Sequence, residues 1–208
     1  MKKYLTESIG AFLLTLVFIV AGNVPGNTQL MPLGYAGLLI ALTYSGIGVS
    51  GAHYNPAITF AVFLRGKIDK IDTIYYILFQ FIGSFFAALI GSLLLGAQGI
   101  TDLNPHVTPA FTGLLSELIG TFALAYTWLA TTKERNGHSV IARGLAIGCL
   151  LPGLMYTFSG ISRALFNPAL ALGSMLTGTV SGSDWWLYFL GSAMGAATAA
   201  TFVAATEE

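Results

Sequence analysis

Asn-Pro-Ala occurs twice in this chain, at 55–57 within "SGAHYNPAIT" and at 167–169 within "FNPALAL", each time opening a short apolar stretch. No other feature restricts the fold as tightly. Proline has no backbone N–H and a fixed φ, so it suits the first turn of a helix, where that N–H would lack a partner anyway. Asn is a favoured residue just before it. Asn55, Pro56 and Ala57, like Asn167, Pro168 and Ala169, therefore predict a helix start. The stretches concerned, about 54–64 and 166–176, are too short to cross a bilayer at ~1.5 Å per residue.

The remaining apolar segments are long enough. There are six, at about 4–22, 33–49, 71–95, 112–131, 140–158 and 185–203. The 208 residues are 55% hydrophobic and 9% charged, whereas soluble domains carry about 25% charged residues. A soluble Ala/Gly-rich α/β fold of this size could not hide so much apolar surface. The expected fold is an all-α membrane protein with six transmembrane helices and two re-entrant half-helices. Backbone broken at membrane depth is tolerated only inside protein or beside a water-filled cavity, so the half-helices predict a cavity or pore. Cys149, the single cysteine, excludes an internal disulfide and reads as a packing residue of an apolar segment.

Charge predicts the orientation. Of nine Lys/Arg, Lys2, Lys3, Arg65, Lys67, Lys70, Lys133, Arg135 and Arg143 fall on one side of a six-span layout, and Arg163 falls on the other. The rich side is expected to be cytoplasmic, with both termini there, in a plasma or inner membrane. Trp185 and Trp186 open the last span at the opposite surface, as an interfacial aromatic belt would.

The chain is also written twice. "ESIGAF" at 7–12 recurs as "ELIGTF" at 117–122, an offset of 117 − 7 = 110, and the two asparagines differ by 167 − 55 = 112. One channel domain over 1–208 is expected, built of a first repeat at 1–100 and a second at 111–208. Lys2, Lys3 and the apolar run after them could pass for a secretory signal, but the same pattern returns mid-chain. Three spans per repeat is an odd number, so the second copy must lie inverted. The half-helices then enter from opposite faces, and their N-termini meet near the midplane. Each carries unsatisfied N–H groups and about half a positive charge, and the asparagine amides add donors. A neutral hydroxyl compound can accept these hydrogen bonds; a cation meets positive potential.

The paired motifs, the "SGAHYNPA" context, the Glu-x-x-Gly-x-Phe repeat and the six-plus-two layout resemble the aquaporin and aquaglyceroporin (major intrinsic protein) family over nearly the whole chain. In that family, half-helix dipoles of this kind act as an electrostatic barrier. The resemblance implies a right-handed six-helix bundle, one pore per subunit, a homotetramer, no cofactor, and small neutral permeants such as water and glycerol. Asn55 and Asn167 match the central pair. His53 matches a loop histidine that can face the pore, and Glu7 and Glu117 match glutamates that brace the re-entrant loops. Patterns such as Gly83/Ala87/Gly91 and Gly191/Gly195 would permit close helix contact.

One departure bears on selectivity. The family's second motif continues with Arg; this chain has Leu170. With Leu145–Gly148 aligned without gaps, Tyr35, Met155, Ala164 and Leu170 would line the outer constriction, and Arg163 would stand where the family favours Gly. The His and Arg of the water-selective pattern are missing, and so is the Arg-Asp of the glycerol-selective one. The outer constriction is thus expected to be apolar: wider for neutral solutes, or a hydrophobic gate. Arg163 could replace the lost charge in the outer vestibule. Alternatives of the same fold are an ion-conducting pore and a closed structural scaffold. An enzyme is not expected, because His53, His106 and His138 lie in separate segments and Asp102 to His106 reads as a solvated loop. No metal site, nucleotide loop or basic patch for nucleic acid is present in the sequence pattern.

Overall fold

A computed structural model of the chain describes residues 1–24, 29–101, 109–132 and 140–206. The expectations for Lys133, Arg135, His138 and the Asp102–His106 stretch fall outside the described residues. The helices are α1 (Lys2–Asn23), α2 (Met31–Ser50), α3 (Pro56–Leu64), α4 (Lys70–Thr101), α5 (Ala110–Thr131), α6 (Val140–Ser162), α7 (Pro168–Leu176) and α8 (Trp185–Ala205). A 3-10 turn, Gly182–Asp184, leads into α8. Six of the described helices are long and apolar enough to cross a membrane. They expose large side chains such as Ile9, Ile74, Phe85, Leu89, Phe111 and Phe202 on the outside, a surface suited to acyl chains rather than water.

α3 and α7 begin where the Asn-Pro rule puts them. Asn55 caps α3 and Asn167 caps α7, each side chain accepting from the N–H two residues on (Ala57 at 2.8 Å, Ala169 at 3.0 Å). α6 runs past the expected end at 158, through Pro152, to Ser162. Proline removes one intrahelical bond there, but flanking turns and neighbouring helices hold the segment, as is common in membrane helices. Cys149 departs from expectation: it is exposed on α6 rather than packed, because a helix apolar all round gives no sign of which side faces inward.

Packing follows the duplication. α1 lies along α4 and α5 along α8; α3 packs on α8 and α7 on α4, while α2 meets α6 across the repeats. Between apolar helices in lipid the attraction is dispersion and hydrogen bonding, so close approach matters most. At Gly83 the α4 backbone lies against the Ser8 carbonyl, and at Gly195 the α8 backbone lies against the Leu118 carbonyl; a Cβ at either position would overlap it.

Lys3 pairs with Asp72 at the start of α4, and Asp72 lines the same cavity as Val203 and Thr206 at the end of α8. This mouth is therefore the face that carries both chain ends. Val62 and Arg65, from the end of α3, also line it. The opposite mouth is lined by Gly22, Met31 and Thr179, the last just beyond α7. The half-helices thus enter from opposite faces.

Candidate functional site

The loops that deliver the two half-helices are built alike. In the first, Ser50 Oγ donates to Glu7 Oε1 (2.6 Å), the His53 N–H to the same oxygen (3.0 Å) and the Tyr54 N–H to Oε2 (2.5 Å). In the second, Ser162 Oγ and the Leu165 N–H donate to Glu117 Oε1 (2.7 and 3.1 Å), and the Phe166 N–H donates to Oε2 (2.7 Å). Both carboxylates are fully buried. Each collects backbone donors that a loop at this depth could not otherwise satisfy.

These bonds hold an unusual backbone. Ala52 and Tyr54 have φ of 58° and 53°, and Ala164 and Phe166 have φ of 55° and 49°. Side-chain-bearing residues occupy this left-handed region at a cost on the order of 1–2 kcal/mol each. The aromatic rings that follow from it lie against glycines of the glutamate-bearing helices. A Cβ at Gly10 would overlap Tyr54, and one at Gly120 would overlap Phe166.

The two half-helices are joined at their tips. Asn55 Nδ2 donates to the Phe166 carbonyl (2.9 Å), and Asn167 Nδ2 donates to the Tyr54 carbonyl (3.1 Å). Each Oδ1 is occupied as a cap, so one amide proton per asparagine remains. Both asparagines line one central chamber of ≈ 30 Å³, walled mainly by Leu14, Leu39, Leu124, Ile147, Leu151 and Leu165. That is room for a water, which needs roughly 10–15 Å³. Tyr35 and His53 also border it.

Two wider cavities flank the chamber, of ≈ 880 Å³ on the face of the chain ends and ≈ 310 Å³ on the other. Met155 and Arg163 line the second, and the Arg163 backbone has φ 63°. Tyr35 borders the chamber, its ring edge-on to Phe18 with centroids 6.3 Å apart, and Phe18 in turn lines the outer cavity. Sequence spacing did not single out Phe18. Ala164 and Leu170, each 1% exposed, border none of the three cavities described. Pro56, Ala57, Pro168 and Ala169 are buried in the first turns of α3 and α7.

Two further residues went unread. Gln80 lies within α4, wholly buried, and its Nε2 donates to Glu7 Oε2 (2.7 Å) and Thr59 Oγ1 (3.0 Å). A lone amide inside "YYILFQFIGS" was the available signal, since such groups are costly in a span unless partnered. Ser84 donates to the Ala169 carbonyl and lies 2.7 Å from Thr15 Oγ1, tying α7 to α4 and α1. Among the described residues no cluster of His, Cys, Asp and Glu could hold a metal ion.

Residues 1–203 match the family model described as "Major intrinsic protein". The chain is 35% identical to "Probable aquaporin TIP3-2" of Arabidopsis thaliana, over 93% of this chain and 80% of that one. It is 31% identical to "Probable aquaporin PIP-type 7a" of Pisum sativum, over 92% and 73%. Among solved structures, the aquaglyceroporin from Plasmodium falciparum superposes with a TM-score of 0.81 over 97% of this chain and 94% of that one, at 19% identity, a likeness of fold.

Proposed function

The chain belongs to the major intrinsic protein family, and on that footing we propose that it is a passive transmembrane channel for water and small uncharged solutes such as glycerol. The observation that carries this reading is the chamber itself. Two capped helix N-termini and two asparagine amides converge on one narrow space between two open mouths. Those donors can hold a neutral oxygen in transit, and their positive potential turns cations and relayed protons away. The rest is binding and release; no bond is made or broken, so an enzyme is not needed.

Glu7 and Glu117 act as the anchors of the re-entrant loops, and Tyr35, Met155, Ala164 and Leu170, with Phe18, make an apolar outer barrier where the way between the outer cavity and the chamber closes, which is why Ala164 and Leu170 border neither. Arg163 supplies the positive charge of the outer vestibule that Leu170 lacks. The unit is a single channel domain of two inverted repeats that assembles as a homotetramer in a plasma or inner membrane, termini cytoplasmic. A largely closed pore of the same fold is the second reading, favoured by the size of the chamber, ≈ 30 Å³.

Light scattering from proteoliposomes in water and glycerol gradients tests the proposal. Water flux above that of empty vesicles is expected, with measurable glycerol entry. Leu170→Arg should lose glycerol before water. Flux equal to empty vesicles in both gradients overturns the channel reading in favour of the closed one.

A further inference from the structure

The cavity on the face of the chain ends and the central chamber share two lining residues, His53 and Trp128. Their rings meet edge to face, with centroids 4.9 Å apart at 89°. The Arg143 guanidinium lies 5.5 Å over the indole, its Nη2 donating to the Thr131 carbonyl at 3.3 Å.

Polar neighbours occupy one side of the His53 ring at this neck. His53 Nδ1 lies 3.1 Å from Thr59 Oγ1, which also accepts from Gln80 Nε2 and lies 3.1 Å from the Asn55 carbonyl. Nδ1 is thereby partnered, and Nε2 is the ring nitrogen left for a permeant, as acceptor or donor according to the tautomer. Room for it depends on Gly51: a Cβ there would come within 3.2 Å of Nε2. On the other side, Trp128 Nε1–H can only donate. It is buried and has no hydrogen-bond partner among the described residues. A buried donor left unpaired costs about 1–3 kcal/mol, a cost removed whenever an oxygen lodges beside it.

We propose that His53 and Trp128 form a second selectivity neck on the face of the chain ends, where the indole N–H donates to the permeant oxygen and His53 Nε2 makes the second hydrogen bond to the same water or hydroxyl, with Arg143 as the positioning residue that holds the indole across the passage. The neck recognises one water or one hydroxyl of a small neutral solute, which can satisfy both rings at once. A cation offers nothing to the indole N–H and meets the Arg143 charge. Chemical selection is thereby placed at the mouth opposite the apolar outer barrier. The inference rests on the channel reading above.

Cys149 is the chain's one cysteine, so a Cys149→Ser background allows a site-directed test in proteoliposomes. In that background Trp128→Cys should conduct water and be blocked by a small mercurial, while Cys149→Ser alone is not. Trp128→Ala should raise the ratio of glycerol to water flux by about tenfold, the change that ~1.4 kcal/mol of barrier produces. Trp128→Phe, which keeps the ring but not the N–H, should slow water while still restricting glycerol. Arg143→Gln should shift the ratio in the same direction as Trp128→Ala, but less. Intact flux in Trp128→Cys without mercurial block overturns the neck and leaves the channel reading standing, and so does an unchanged glycerol ratio in Trp128→Ala. No water flux in the parent overturns both.

Discussion

Glu7 and Glu117 show how one side chain can make a loop possible at membrane depth. Each meets one hydroxyl and two backbone N–H groups within 2.5–3.1 Å. The sequence marked both glutamates as a repeated pair, because a buried carboxylate needs partners. It did not reveal that Ser50 and Ser162 complete the arrangement. Glu117→Ala would strand three buried donors at once, each at about 1–3 kcal/mol. Loss of roughly 3 kcal/mol or more is expected, read as a lowered unfolding midpoint in detergent, whereas Glu117→Gln keeps one acceptor oxygen and should fall between. A Glu117→Ala variant as stable as the parent would mean that other contacts hold the loop.

The elements owe their fit to a few close approaches. α5 carries Gly120 under the ring of Phe166, and the Phe166 carbonyl is the acceptor for Asn55. A methyl group added at Gly120 therefore pushes on the joint between the half-helices. Gly120→Ala is expected to cost about 1–3 kcal/mol, the usual penalty for overpacking, and to reduce water flux. Gly160→Ala, which meets no atom within 4 Å, should change neither. Equal behaviour of the two variants in thermal unfolding and stopped-flow shrinkage would refute the coupling. Local rules were enough to start α3 and α7, but α6 outran its expected end at 158 because Ser162, polar in the sequence, is buried against Glu117 in the fold.

At the scale of the whole molecule, on the proposed channel reading, the two half-helices and the outer arginine, Arg163, share the task of refusing ions. The half-helix tips lie at the central chamber and Arg163 at the outer cavity. In planar bilayers the parent is expected to pass no measurable current. Arg163→Ala should admit a cation leak while leaving water flux nearly unchanged, because removing one charge from a low-dielectric mouth lowers the potential there without narrowing it. Silent bilayers for both proteins would assign the barrier to the half-helices alone.

The sequence by itself determined the class, the six spans and the two half-helix starts, since apolar length and Asn-Pro chemistry act locally. It also determined the duplication, read from two matched offsets. Tertiary structure alone decided which side chains border the conduit. It brought Trp128 to His53, set Phe18 against Tyr35 and turned Cys149 outward. A helix in lipid is apolar on every side, so no period in its sequence marks an inner face; the inward side is fixed only when helices meet.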